Sequence, residues 1–190
     1  MSPITLRLPS KYTTHLPPPS DPPFAMPPLP FLHRTWSVTH STLRMWRSAR
    51  NVRITYGSLA PSSSSRERMS DLVEYEALSG AGGVKTVAGV DTASSAGDTS
   101  VFDWRGSGWL FFVGSHWEVL GWGEREAPDG GVERWVVTWF APTVFTAEGV
   151  DVYSDRREGG SEGVCEGKGR LGELVKEMRE VKVELPWKEA

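Results

Sequence analysis

GSHWEVLGWG, residues 114–123, alternates large apolar and polar side chains between glycines. In a β-strand, residues two apart share a side. His116, Glu118, Leu120 and Trp122 therefore fall on one side, and Ser115, Trp117 and Val119 on the other. Two readings stay open. If Trp117 and Val119 point into a core, His116 and Glu118 form a solvated pair. If the opposite side faces a cavity, the carboxylate of Glu118 can orient or charge the imidazole of His116, and histidine is the natural proton shuttle near neutral pH.

Similar runs extend in both directions from this one. Aromatic and β-branched segments at 35–41, 51–57, 71–77, 84–91, 100–105, 108–113, 133–140, 143–146 and 149–154 alternate with clusters of Gly, Ser, Asp and Pro such as 60–68, 92–98 and 125–131. This is the pattern of an all-β protein. Many antiparallel strands leave exposed edges unless the sheet closes on itself. We therefore expect an antiparallel up-and-down barrel of about 8–10 strands. Near the end, Leu171, Leu174, Val175, Met178 and Val181 recur at helical spacing, which predicts one C-terminal α-helix near 170–181. Residues 1–30, rich in proline, read as a disordered arm, and 31–190 as the barrel domain with its helix.

Composition excludes several classes. The 190-residue chain carries a formal charge of -3, against a general nucleic-acid binder. No apolar run approaches the ~20 residues of a membrane span, and the N-terminus lacks the apolar core of a secretory signal. We expect a cytoplasmic protein. One cysteine, Cys165, excludes an internal disulfide framework. The four histidines are scattered, so no metal site and no cofactor are expected. The Pro27-Pro28-Leu29-Pro30 segment offers a docking motif to a WW or SH3 domain.

Arg34-Thr35-Trp36, at the head of the first strand after a Pro-rich arm, resembles a lipocalin opening in which Arg34 replaces the usual glycine. The segments 40–46, 51–56, 89–92, 104–110, 115–121 and 145–154 are similar to an uncharacterised group of fungal lipocalin-like proteins. The resemblance covers most of 31–155 and implies a calycin (lipocalin/fatty-acid-binding-protein-like) barrel, with Trp36 plugging its base. It also implies that His40, which shares parity with Trp36 and Val38, points inward.

Nine tryptophans suit a cavity wall as well as a core. The expected function is binding of a small hydrophobic or aromatic molecule in a Trp-rich barrel. Its expected ligand-binding residues are Trp36, Arg53, Tyr75, Trp104, Trp122, Trp135, Trp139 and Tyr153. One alternative is a cofactor-free isomerase, cyclase or dehydratase, with His116 as acid/base, Glu118 as its partner and His40 as a second proton donor. Another is an interaction scaffold that uses the Pro-rich arm. Arg44, Arg47, Arg50 and Arg53 surround Met45 and Trp46, either as a clamp for an acidic ligand or as a solvated loop packed on the indole. Asp103 and Arg105 share a side and read as an external ion pair. Asp91 and Asp151 sit near strand ends and read as turn residues.

Overall fold

A computed structural model describes residues 6–15, 24–127, 129–144 and 146–156. Eight antiparallel strands close into a barrel in sequence order: β1 (Thr35–Ser41), β2 (Ala49–Leu59), β3 (Arg68–Ala77), β4 (Val84–Ala93), β5 (Val101–Gly106), β6 (Gly114–Glu126), β7 (Val132–Phe140) and β8 (Gly149–Ser154). Each strand pairs with the next, and β8 returns to β1. This is the up-and-down architecture that the turn spacing and the calycin resemblance imply. Every strand thus has two partners and no edge remains.

The strand count falls at the low end of the expected range for local reasons. Residues 108–113 form a short 3-10 turn over Gly108–Leu110 rather than a strand, with Gly108 at φ +60°. Thr143 and Thr146 are tied to each other in a loop rather than a ladder. The expected C-terminal helix lies outside the described residues.

Alternation along the strands fills the interior. Trp36, Ile54, Tyr56, Met69, Phe102, Trp117, Val119, Val136 and Tyr153 form one buried cluster. Phe102 and Trp117 stack at 4.8 Å, and Tyr56 lies parallel to Trp117 at 5.7 Å. Trp104 lies against Gly89, where any Cβ would collide with the ring. Trp36 and the helical turn α1 (Leu29–Leu32) close one end, the base. The Trp36 indole donates to the Leu32 carbonyl at 3.0 Å. The Arg34 guanidinium covers both Phe31 and Trp36. At the other end, the mouth, strands are joined by the loops 42–48, 78–83, 107–113 and 141–148.

A second apolar cluster lies outside the barrel. Leu120, Trp135, Val137, Trp139, Val150 and Val152 face outward from β6, β7 and β8, and Leu6, Leu8 and Tyr12 cover them. Residues 6–15 therefore lie along the wall and include a 3-10 turn, Ser10–His15. The cause is a β-bulge between Val119 and Gly121. A bulge drops one residue from the ladder. It leaves the Leu120 carbonyl for the Arg7 amide, which donates to it at 2.8 Å.

Candidate functional site

The site is built from carboxyl groups that the barrel turns inward. Asp71 on β3 follows Met69 and precedes Val73 on the same side. Asp91 on β4 lies between Gly89 and Ala93, and Asp151 on β8 precedes Tyr153. All three are buried. The expectation that Asp91 and Asp151 serve turns is therefore corrected: both sit within strands and face the interior. The signal was present in the sequence, because each shares parity with residues that face the core.

These acids differ from ordinary surface carboxylates in having no cationic partner among the described residues. Asp91 accepts a hydrogen bond from the Trp117 indole at 2.7 Å. Asp151 accepts from Ser41 and, at 3.2 Å, from the Trp46 indole. Burial pushes the Asp71 carboxyl up to about 7. It pushes Asp91 well above the usual range, with the Asp71 charge adding to the effect. Asp151 rises to about 7 by burial, against the two hydrogen bonds that favour its charged form. Tyr56 and Tyr153 are likewise raised, first by burial and then by their charged neighbours. Two buried carboxyl oxygens on the inner side, Asp71 Oδ1 and Asp91 Oδ2, have no hydrogen-bond partner, and the Tyr153 hydroxyl lies beside Tyr56 and Thr138.

Toward the mouth, β1 and β2 pair only from Thr35 to Ser37 and then part. A cavity of about 280 Å³ opens in the gap, lined by Val38, His40, Ser41, Trp46, Arg47, Arg50 and Val52 among others. Ser41 and Trp46, which reach Asp151, belong to its lining. Tyr75 packs edge-on against Trp46 at 5.7 Å, so the indole bridges from the 3-10 turn Arg44–Ser48 to β3.

The expected site residues are distributed differently from their expected roles. Trp36, Trp104 and Tyr153 belong to the interior or its packing, and Tyr75 lies at the mouth. Trp122 returns to the inner side after the bulge. There it meets Phe31 at 4.7 Å and donates to the Ala25 carbonyl, at the base rather than in a pocket. Trp135 and Trp139 face outward in the cluster under the arm, with Tyr12 edge-on to Trp139 at 6.2 Å. Both stand on the side of β7 away from the barrel interior. Arg53 sits on the outer wall opposite Ser37 and Glu74, and pairs with Glu74 at 3.6 Å.

His40 is also corrected. A bulge between Val38 and His40 reverses the parity that Trp36 sets, so His40 stands opposite Val152, which faces outward. Its Nδ1 lies 3.2 Å from the Thr39 hydroxyl, and the ring lines the mouth cavity from the wall side.

His116 and Glu118 match neither of their two readings in full. They face outward, as Trp117 and Val119 fill the interior, yet Glu118 is only 1% exposed. The arm covers it. Arg7 pairs with it at 2.6 Å, and the Ser10 amide and hydroxyl donate to it at 3.0 Å. The imidazole Nε2 lies 3.7 Å from Glu118, and Nδ1 lies 2.8 Å from Asp103. Asp103 thus partners His116 and Ser94 rather than Arg105. Burial pushes Glu118 up, but His116, Ser10 and Arg7 outweigh it and hold the carboxyl below its ordinary value. His116 is raised by Glu118 first, and by Asp103. This is a clamp between arm and wall. Sequence reasoning missed it because Arg7 and Ser10 carry no pattern of their own.

The Pro27 to Pro30 segment is built into the base. The Pro27 carbonyl accepts from Thr99 at 2.6 Å, and Leu29 and Pro30 begin the helical turn. No described helix is long and apolar enough to cross a membrane. No family model matches the chain, and no curated protein matches it.

Proposed function

We propose that the protein binds a small, predominantly apolar or aromatic molecule within the barrel, admitted past Trp46, with its polar group held by Asp71, Asp91 and Tyr153. One observation carries this reading. Two buried carboxyl oxygens without partners, on Asp71 and Asp91, face an interior walled by Tyr56, Phe102 and Trp117. Leaving a buried polar group unpaired costs about 1–3 kcal/mol. A ligand hydroxyl, carbonyl or amine would remove that cost, while the rings supply apolar contact.

The test is a tryptophan-fluorescence titration with a panel of small aromatic and terpenoid-like molecules. Saturable quenching at micromolar concentration is expected, with Tyr153→Phe weakening the best polar binder about tenfold. His116→Ala should bind like the parent protein, because that ring lies outside the barrel. A panel that leaves every tryptophan unperturbed would sink the reading.

A second reading is favoured by the Asp71–Asp91 pair. Two facing acids, one near neutrality, can give and take a proton without a cofactor. Proton-transfer chemistry in this barrel would therefore rest on them and not on His116 and Glu118. Turnover of the best binder, lost in Asp91→Asn with binding retained, would establish it.

A further inference from the structure

Ten large apolar side chains are exposed among the described residues, and seven of them cluster at the mouth. Met45 stands on the loop 42–48, while Leu78 and Val84 flank the loop 78–83. Trp109, Phe111 and Phe112 crowd the loop 107–113, and Val144 tips the loop 141–148. Trp109 is 79% exposed, Phe111 69%, Phe112 60% and Val144 95%. Phe111 and Phe112 pack edge to face at 5.7 Å and so hold each other outward. Exposed apolar side chains scattered singly over a surface need no explanation, but seven gathered at one end mark an interaction surface.

The charge at this end is as uneven as the apolar exposure. Arg44, Arg47, Lys85 and Arg105 are exposed there, and none has an ion-pair partner among the described residues. The mouth-end acids are already engaged. Glu76 pairs with Arg50 at 2.9 Å, and Glu148 accepts from Tyr12 at 2.7 Å and pairs with Lys11. A chain of net charge -3 thus presents one cationic, apolar end.

We infer that the mouth rim docks on an anionic lipid bilayer surface, with Trp109, Phe111 and Phe112 inserted among the headgroups and Arg44, Arg47, Lys85 and Arg105 against the lipid charge. Two features select a bilayer over a protein partner. The apolar groups stand on separate loop tips around one end, which suits insertion into a soft layer rather than contact with a shaped face. Aromatic rings and cations are also the pair of side-chain types that settle at the headgroup level. The docking does not depend on what the barrel holds, because it uses the outer rim alone.

The test is co-sedimentation of the full chain with vesicles of phosphatidylcholine, with and without phosphatidylserine. Binding to the anionic vesicles is expected, weakening as salt rises. Arg44→Gln with Arg47→Gln should weaken it about thirtyfold, at roughly a unit of binding energy per cation. Trp109→Ser with Phe111→Ser and Phe112→Ser should abolish it. All five positions are exposed, and unchanged urea midpoints will confirm that the variants stay folded. Failure of the parent chain to sediment with anionic vesicles overturns the inference. So does undiminished binding by the triple variant, or self-association that the triple variant removes without any vesicle binding.

Discussion

Two sets of carboxyl groups lie out of water in this barrel, and they are treated in opposite ways. On the outer wall, Glu118 meets Arg7, Ser10 and His116. Glu133 meets Arg125 at 2.7 Å and the Ser154 hydroxyl at 2.7 Å. Inside, Asp71, Asp91 and Asp151 meet only neutral donors or nothing. Burying a charge is costly unless it is paired. The outer carboxylates are paired and close the structure. Burial raises the proton affinity of the inner ones instead, and Asp71 and Asp91 each leave an oxygen unused. That contrast separates groups that the fold itself consumes from groups still available to a ligand.

The largest effect should come from breaking the inner set. Trp117→Ala removes the indole that stacks on Phe102 and Tyr56 and donates to Asp91. A loss of about 3–5 kcal/mol is expected from the cavity alone, read as the urea unfolding midpoint and slope. Trp117→Phe separates the two roles. It keeps most of the ring contact and should cost about 1–3 kcal/mol through the lost donor.

A pH titration of stability sharpens the comparison next. Asp71 and Asp151 have folded values of about 7 against an unfolded value near 3.8. Between those limits the unfolded chain binds fewer protons than the folded one. Each group therefore makes stability fall as pH rises from about 4 to about 7, by on the order of 4 kcal/mol across the window. Asp71→Asn should flatten that slope and raise the urea midpoint at pH 8 relative to the parent. Glu118 has the opposite sign. Its lowered value gives stability that is present above the unfolded pKa and lost as pH falls through the folded one. An Asn variant that is less stable than the parent at pH 8 would contradict an interior that disfavours the charged carboxylate.

A smaller effect than that of Trp117→Ala belongs to the outer clamp. Glu118→Gln keeps the shape but removes the charge that Arg7 and Ser10 share. About 1.5–3 kcal/mol should be lost, and the arm should become the first segment cleaved in limited proteolysis. An unchanged cleavage pattern would mean that Leu6, Leu8 and Tyr12 hold the arm without the clamp.

The barrel was legible because its signals are local. Alternation along 115–120 and 133–140 and turn residues at regular intervals point to paired strands, and closure follows from the need to remove edges. Parity also carries the direction of single side chains. Asp71, Asp91 and Asp151 each share a side with buried residues, so their inward aim was written in the chain. His40 and Trp122 were not legible in this way. A bulge shifts parity by one, which exchanges inner and outer faces for every residue beyond it. The bulges at Val38/His40 and Val119/Gly121 leave no mark in composition.

Trp135, Val137 and Trp139 show the remaining limit. Their shared side was evident, and an apolar side seeks cover. Which side that is, and what covers it, depended on Leu6, Leu8 and Tyr12, more than a hundred residues earlier in the chain. The chain by itself determined the strands, their alternation and the closed sheet, because these follow from contacts between neighbours in sequence. Only the tertiary structure decided that His116 and Glu118 would clamp an arm, that three aspartates would face one interior, and that the exposed aromatics would gather at one rim. Those outcomes depend on distances between strands, and no local pattern records them.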